Sequence, residues 1–181
     1  MTTLTIYPES APAAARHVTE DGTEIARWLD GIGVRFERWR AEQPLADDAD
    51  QDAILAAYRP EVDRLMRENG YRTADVVRLR RGTPDTAPMR AKFLDEHTHS
   101  EDEVRFFVEG AGAFYLRGDG EIYRVVCEAG DLIGVPANTR HWFDMGPDPH
   151  FCAIRLFTNP EGWVANFTGD PIARRVPKFG E

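Results

Sequence analysis

The stretch Glu96-His97-Thr98-His99-Ser100-Glu101-Asp102-Glu103, running on through Val104-Arg105-Phe106-Phe107-Val108-Glu109 to Gly110, decides how the rest of the chain is read. Side chains two apart on an extended chain share a face. His97, His99, Glu103 and Arg105 therefore fall on one side, with Ser100 to Asp102 as a turn or bulge between them. Two imidazoles and a carboxylate on one face make a facial metal site with open positions, an arrangement suited to non-haem Fe(II). Further on, Gly130, Pro136, Asn138 and His141 describe a strand, a tight turn and a histidine entering the next strand. Asn138 suits a turn position with positive φ. Three histidines and a glutamate would leave two adjacent positions free, enough to chelate a substrate through two oxygens. Taken singly, a His-x-His pair is common on surfaces, and His141 would read as a hydrogen-bonded structural histidine. Their shared register between glycine-bounded strands favours the metal, whereas His17 and His150 lie outside the pattern.

Working outward, the texture from Ala74 onward is β. Apolar-rich segments near 104–109, 112–117, 121–127, 131–135, 141–145 and 150–157 alternate with turn formers. These are Gly110, the Gly118-Asp119-Gly120 hairpin signal, Gly130, and Pro147 to Pro149. Many short strands at this spacing imply an all-β sandwich or barrel. Before them, Arg81 to Pro88 reads as a loop. Thr3 to Tyr7 alternates as a strand, and so do Val34 to Glu37. Thr23 is the expected N-cap of a helix carrying Ile25, Trp28, Leu29 and Ile32, closed by Gly31 and Gly33. A second helical stripe holds Ile54, Leu55, Tyr58, Val62, Leu65 and Met66, kinked or split at Pro60 and closed by Asn69 and Gly70. The acidic residues just ahead of it, Asp47 to Asp52, read as a solvated loop and a favourable first helical turn.

The chain has 181 residues, 42% of them apolar and 29% charged, as expected of one globular domain. Its 22 Lys and Arg against 31 Asp and Glu give a formal charge of −9, which argues against a nucleic-acid backbone as partner. The longest apolar run, Ala53 to Tyr58, falls far short of the ~20 residues that span a bilayer. Met1 to Ser10 has neither a basic region nor an extended apolar stretch, so no secretory signal is expected. Cys127 and Cys152 sit in strand-like runs and read as buried free thiols. The expectation is a cytoplasmic monomer without nucleic-acid or membrane partners.

The spacing His97-x-His99, Glu103, Gly110 resembles the first motif of the cupin superfamily. Gly130, Pro136 and His141 match the second, with Asn138 in place of its glycine and Met145 in place of its asparagine. The cupin resemblance covers about residues 77–158. It implies one domain over 1–181: a helical N-terminal region to about 75, a jelly-roll barrel core over 76–158 and an extension over 159–181. More narrowly, Phe93 to His99, Glu101 to Gly110 and Pro136 to Phe143 resemble the acireductone dioxygenase family of methionine salvage.

That resemblance implies that His97, His99, Glu103 and His141 hold one Fe(II) or Ni(II) per chain. Arg105 matches the position that steers the substrate and favours its dianion; a barrel-surface ion pair is the alternative. Glu96 and Asp102 match acidic positions linked to metal incorporation and relayed conformational change, and read equally well as solvent-facing carboxylates. Phe93, Phe143 and Trp163 are candidate walls for a methylthio tail, though buried aromatics are core by default. The implied reaction cleaves 1,2-dihydroxy-3-keto-5-methylthiopentene with O2. The iron form yields 4-methylthio-2-oxobutanoate and formate; the nickel form yields 3-methylthiopropanoate, formate and CO. A cupin fold also serves metal-dependent isomerases and non-redox sugar binders, which remain the alternatives.

Overall fold

The computed structural model describes residues 1–159 and 164–181. Among them are eleven strands: β1 (Thr3–Pro8), β2 (His17–Thr19), β3 (Arg35–Arg38), β4 (Thr73–Leu79), β5 (His97–Thr98), β6 (Glu103–Gly118), β7 (Glu121–Glu128), β8 (Asp131–Val135), β9 (His141–Asp144), β10 (His150–Phe157) and β11 (Asn166–Phe167). Four helices accompany them: α1 (Gly22–Asp30), α2 (Gln51–Ala57), α3 (Arg59–Asn69) and α4 (Thr86–Phe93). The fold is the expected all-β core with a minor helical part, although α4 falls between β4 and β5 rather than in the N-terminal region. All strands join one antiparallel sheet that wraps around an apolar interior, although its hydrogen-bond ladder does not close into a ring. The first part of the chain is woven into this sheet: β1 pairs along its whole length with β7, and β3 pairs with β8.

Strand β6 organises the rest, pairing with β7, β8, β9 and β10. The sequence predicts two strands broken by a turn at Gly110, but the structure has a single strand of 16 residues. Gly110 sits at φ +65°, and a Cβ there would collide with the His150 carbonyl, so only glycine fits. Just before it, the register against β10 slips between Cys152 and Ala153. This bulge reverses the alternation. Phe107 points into the interior before it, and Phe114 and Leu116 do so after it. Arg105 and Phe114 consequently meet inside, with the guanidinium 5.1 Å from the ring centre.

Two further apolar layers cover the outer faces. Ile54 of α2, Tyr58, and Val62 and Leu65 of α3 pack on Val104, Phe106 and Ile154; each such buried side chain contributes about 1.5–3 kcal/mol. Pro60 splits this helical stretch at Tyr58, and Gly70 closes it at φ +72°. The C-terminal residues Ile172, Ala173 and Val176 cover Tyr115 and Trp142, whose rings stack at 5.0 Å. The cap of α1 is Asp21 rather than Thr23, its side chain accepting from the Glu24 amide at 2.8 Å. The loop expected over Arg81–Pro88 ends early, because α4 begins at Thr86. That helix buries no residue and carries no apolar stripe, so the sequence had no periodicity to announce it.

Candidate metal centre

Each candidate ligand comes from a different local device. His97 lies on β5, which pairs with β11 on one side and meets His141 on the other. His99 lies just beyond β5, and its carbonyl accepts from the Asn138 amide at 2.8 Å. Asn138 has φ +64°, the left-handed turn position expected of it. The Ala137 amide donates to Asp102 Oδ1 at 2.9 Å, so the two short loops that carry the histidines are laced together. Glu103 opens β6 and His141 opens β9.

The three imidazoles converge. Their candidate ligand atoms all lie within 4.8 Å of one another, and all three rings are buried. Each Nδ1 faces a backbone carbonyl: Asp95 for His97 at 2.8 Å, Val164 for His99 at 3.1 Å, Thr139 for His141 at 2.7 Å. A carbonyl only accepts, so Nδ1 carries the hydrogen and Nε2 presents a lone pair. Glu103 Oε2 nevertheless lies 2.9 Å from His141 Nε2 and 3.3 Å from His99 Nε2. Two acceptors so close repel unless a proton or a cation lies between them. Glu103 Oε1 has no donor directed at it, although Arg105 Nη2 sits 2.7 Å away as a charge. Convergent imidazole lone pairs, a buried carboxylate and an under-satisfied oxygen are the donor set of a divalent transition metal.

Charge in the cluster is strongly coupled. Burial alone would push Glu103 up, but the Arg105 charge and the bonds to His141 and His99 hold it well below the usual carboxylate range. Burial, reinforced by His141, pushes His97 down to about 4. Burial is the largest influence on His99 and lowers it, yet the bond to Glu103, the Glu103 charge and the Val164 carbonyl together outweigh this and the net shift is upward. Arg105 is itself lowered, burial outweighing the Glu103 charge. Its guanidinium lies 4.4 Å from the Phe143 ring centre, fixed between aromatic faces in the interior rather than on the barrel surface.

The remaining candidates are distributed unevenly. Phe143 is buried beside Phe114 and Phe151, and Phe93 is half-buried against the same cluster. Asp102 is exposed, engaged with the Ala137 amide rather than the cluster. Glu96 is only 1% exposed, and its carboxylate bonds Arg117 and Thr168 rather than any ligand histidine. Trp163 lies outside the described residues. Sequence reasoning missed the carbonyls of Asp95, Thr139 and Val164 that orient the rings. Any residue supplies a carbonyl, so no residue type could have flagged them.

Residues 3–165 match the model of the ARD/ARD' family. An acireductone dioxygenase of Parvibaculum lavamentivorans is 65% identical over 179 residues, covering 99% of this chain and 97% of that one. One from Pseudomonas aeruginosa is 56% identical, covering 98% of each chain. Among solved structures, an acireductone dioxygenase from Bacillus anthracis with a cadmium ion in its active centre superposes with a TM-score of 0.81 at 33% identity, over 92% of this chain and 98% of that one. With the family model spanning nearly the whole chain and the relatives matching it end to end, this protein belongs to the ARD/ARD' family.

Proposed function

We propose that this protein is a metal-dependent dioxygenase that cleaves an acireductone, 1,2-dihydroxy-3-keto-5-methylthiopentene, with O2 in methionine salvage. The observation that carries the reading is the set of three imidazoles with Nδ1 hydrogens bonded to carbonyls and Nε2 lone pairs turned inward beside a buried carboxylate. His97, His99, Glu103 and His141 would hold one Fe(II) or Ni(II), and the cadmium in the Bacillus anthracis relative supports a divalent ion there. Such an ion supplies charge withdrawal that favours the substrate dianion and primes it for oxygen.

The chain's own residues supply the rest. Arg105 is a fixed, buried cation, so it stabilises negative charge on the bound ene-diolate without reorganising. Phe114 and Phe143 immobilise it by packing against its guanidinium. Glu103 keeps its negative charge at all physiological pH values, because Arg105 holds it ionised. The three carbonyl bonds fix imidazole orientation before substrate arrives. Phe93, Phe143 and Trp163 would receive the methylthio tail, and Asp102 would hold the turn that delivers His141. With iron the products are 4-methylthio-2-oxobutanoate and formate; with nickel they are 3-methylthiopropanoate, formate and CO. The protein acts as a cytoplasmic monomer on a small molecule and O2.

The test begins with elemental analysis of the purified protein. Acireductone is then added without oxygen, and oxygen is admitted. Near-stoichiometric iron or nickel, with oxygen uptake and bleaching of the ene-diol absorbance, is expected, and His99→Ala should abolish both metal retention and turnover. Bound metal with no oxygen uptake in either the iron or the nickel form would replace this reading with an isomerase or a binding cupin.

A further inference from the structure

Behind the ligand strands lies a second, partly buried cluster that the proposed chemistry does not use. Arg117, near the end of β6, is its centre. Its guanidinium holds Glu9 through two bonds of 2.9 Å, Glu96 at 3.1 and 3.3 Å, and Asp170 at 2.8 Å. The Glu96 side chain is wholly buried and takes a further bond from Thr168 Oγ1 at 2.7 Å.

Two arms of this clasp, Glu96 and Asp170, and the backbone of Arg117 itself lead to the imidazoles, while Glu9 closes it from the end of β1. Glu96 immediately precedes His97, and alternation turns its carboxylate to the face opposite that ring. The backbone amide of Arg117 donates to the Arg140 carbonyl at 2.9 Å, one residue before His141, while Leu116 pairs with His141 across β6 and β9. Asp170 anchors the segment 164–168, which lies along β5. There the Thr168 amide bonds the Glu96 carbonyl, the Phe167 ring packs 5.8 Å from the His97 ring, and the Val164 carbonyl receives His99 Nδ1. Strand β5 has only two residues and meets β9 at a single pair, so its own ladder cannot hold two imidazoles in place.

We propose that Arg117 is a positioning residue of the metal centre, aiming His97 through Glu96, His141 through its own backbone and His99 through the segment anchored by Asp170. The proposal rests on the reading that these three histidines bind the metal. A planar fork with five donors can reach three carboxylates spread around it, whereas a lysine ammonium offers three donors from one point. Fixed outer contacts of this kind typically alter metal affinity by 10- to 100-fold.

The test is titration of metal-stripped protein with Ni(II) alone, together with thermal melting of the same samples. Arg117→Met should weaken Ni(II) binding by at least about tenfold. It also leaves Glu96 as a buried unpaired charge, so it should melt early. Arg117→Met combined with Glu96→Gln removes that charge and should regain much of the melting temperature while staying at least about tenfold weak for Ni(II). Asp170→Asn, at the exposed rim, should weaken Ni(II) binding several-fold with little change in melting. Recovery of wild-type affinity in the double variant, or wild-type affinity in Asp170→Asn, would reduce the clasp to a structural lock and overturn the proposal. Failure of the wild-type protein to take up Ni(II) would instead overturn the metal-site reading beneath it.

Discussion

Replacing Arg105 by methionine isolates the charge in the interior. Methionine refills most of the stem volume and keeps apolar contact with Phe114 and Phe143, so cavity formation is a small part of the effect. What is lost is the cation 2.7 Å from Glu103 Oε1 and the cation–π contacts at 4.4 and 5.1 Å. The aromatic contacts contribute about 2 kcal/mol, part of which the methionine keeps by packing on the same rings. Stripping one partner from a buried pair costs about 3–5 kcal/mol, because the remaining carboxylate is left without compensation. The pair therefore dominates, and metal-free Arg105→Met should lose about 4 kcal/mol at neutral pH, roughly 10 °C in melting temperature.

The pH dependence follows from Glu103. Its carboxyl is held low in the folded protein, so its stabilising contribution is present above its ordinary value of 4.5 and is lost as pH falls through the lower folded value. The gap between wild type and variant should therefore be widest at neutral pH and close on acidification. Adding Glu103→Gln to Arg105→Met removes the stranded charge and should recover much of the loss. Urea denaturation of the metal-free proteins at several pH values reads all three effects. A variant as stable as wild type at pH 7, or a double variant no better than the single one, would refute the reasoning. In the loaded enzyme, Arg105→Met should keep its metal and lose about 100-fold or more in kcat, because the fixed cation no longer meets developing negative charge.

Three other outcomes are expected. Gly110→Ala forces a side chain into a left-handed position against the His150 carbonyl, and should cost at least about 2 kcal/mol by denaturant melting; a loss within measurement error would show that the bulge can relax. His97 stays neutral down to about 4 when folded, while in the unfolded chain it takes a proton near 6.5. Its unfolded form binds the extra proton, so the stability of the metal-free protein should fall as pH drops from about 6.5 to about 4, and His97→Gln should flatten that slope. Burial raises Cys152 to about 11 and Cys127 well above the ordinary thiol range, so neither should react with a disulfide reagent at pH 8 until urea unfolds the chain; rapid labelling of the native protein would contradict their burial.

Local chemistry in the chain already specified much of this protein. The short apolar-rich segments through 104–157, punctuated by turn formers, announce strands because each is too short for a helix. The His97-x-His99, Glu103 and His141 register points to one metal cluster because alternation puts His97, His99 and Glu103 on one face and glycine-bounded strands bring His141 to it. Pro60 and Gly70 set helix limits, and Asn138 sets a turn, through restrictions on φ that act within one or two residues. Tertiary contact alone decided the rest. Gly110 reads as a turn in sequence and instead continues a strand just past a bulge, because β10 pairs across it. Helix α4 has no apolar stripe and stays invisible to periodicity. Glu96 reads in sequence equally well as a functional acid or a solvent-facing carboxylate, and it is buried because Arg117, 21 residues away, and Thr168, 72 residues away, close over it. The carbonyls that orient the imidazoles leave no mark on residue type at all. A sequence displays the groups that carry chemistry; their partners are set by where distant segments of backbone meet.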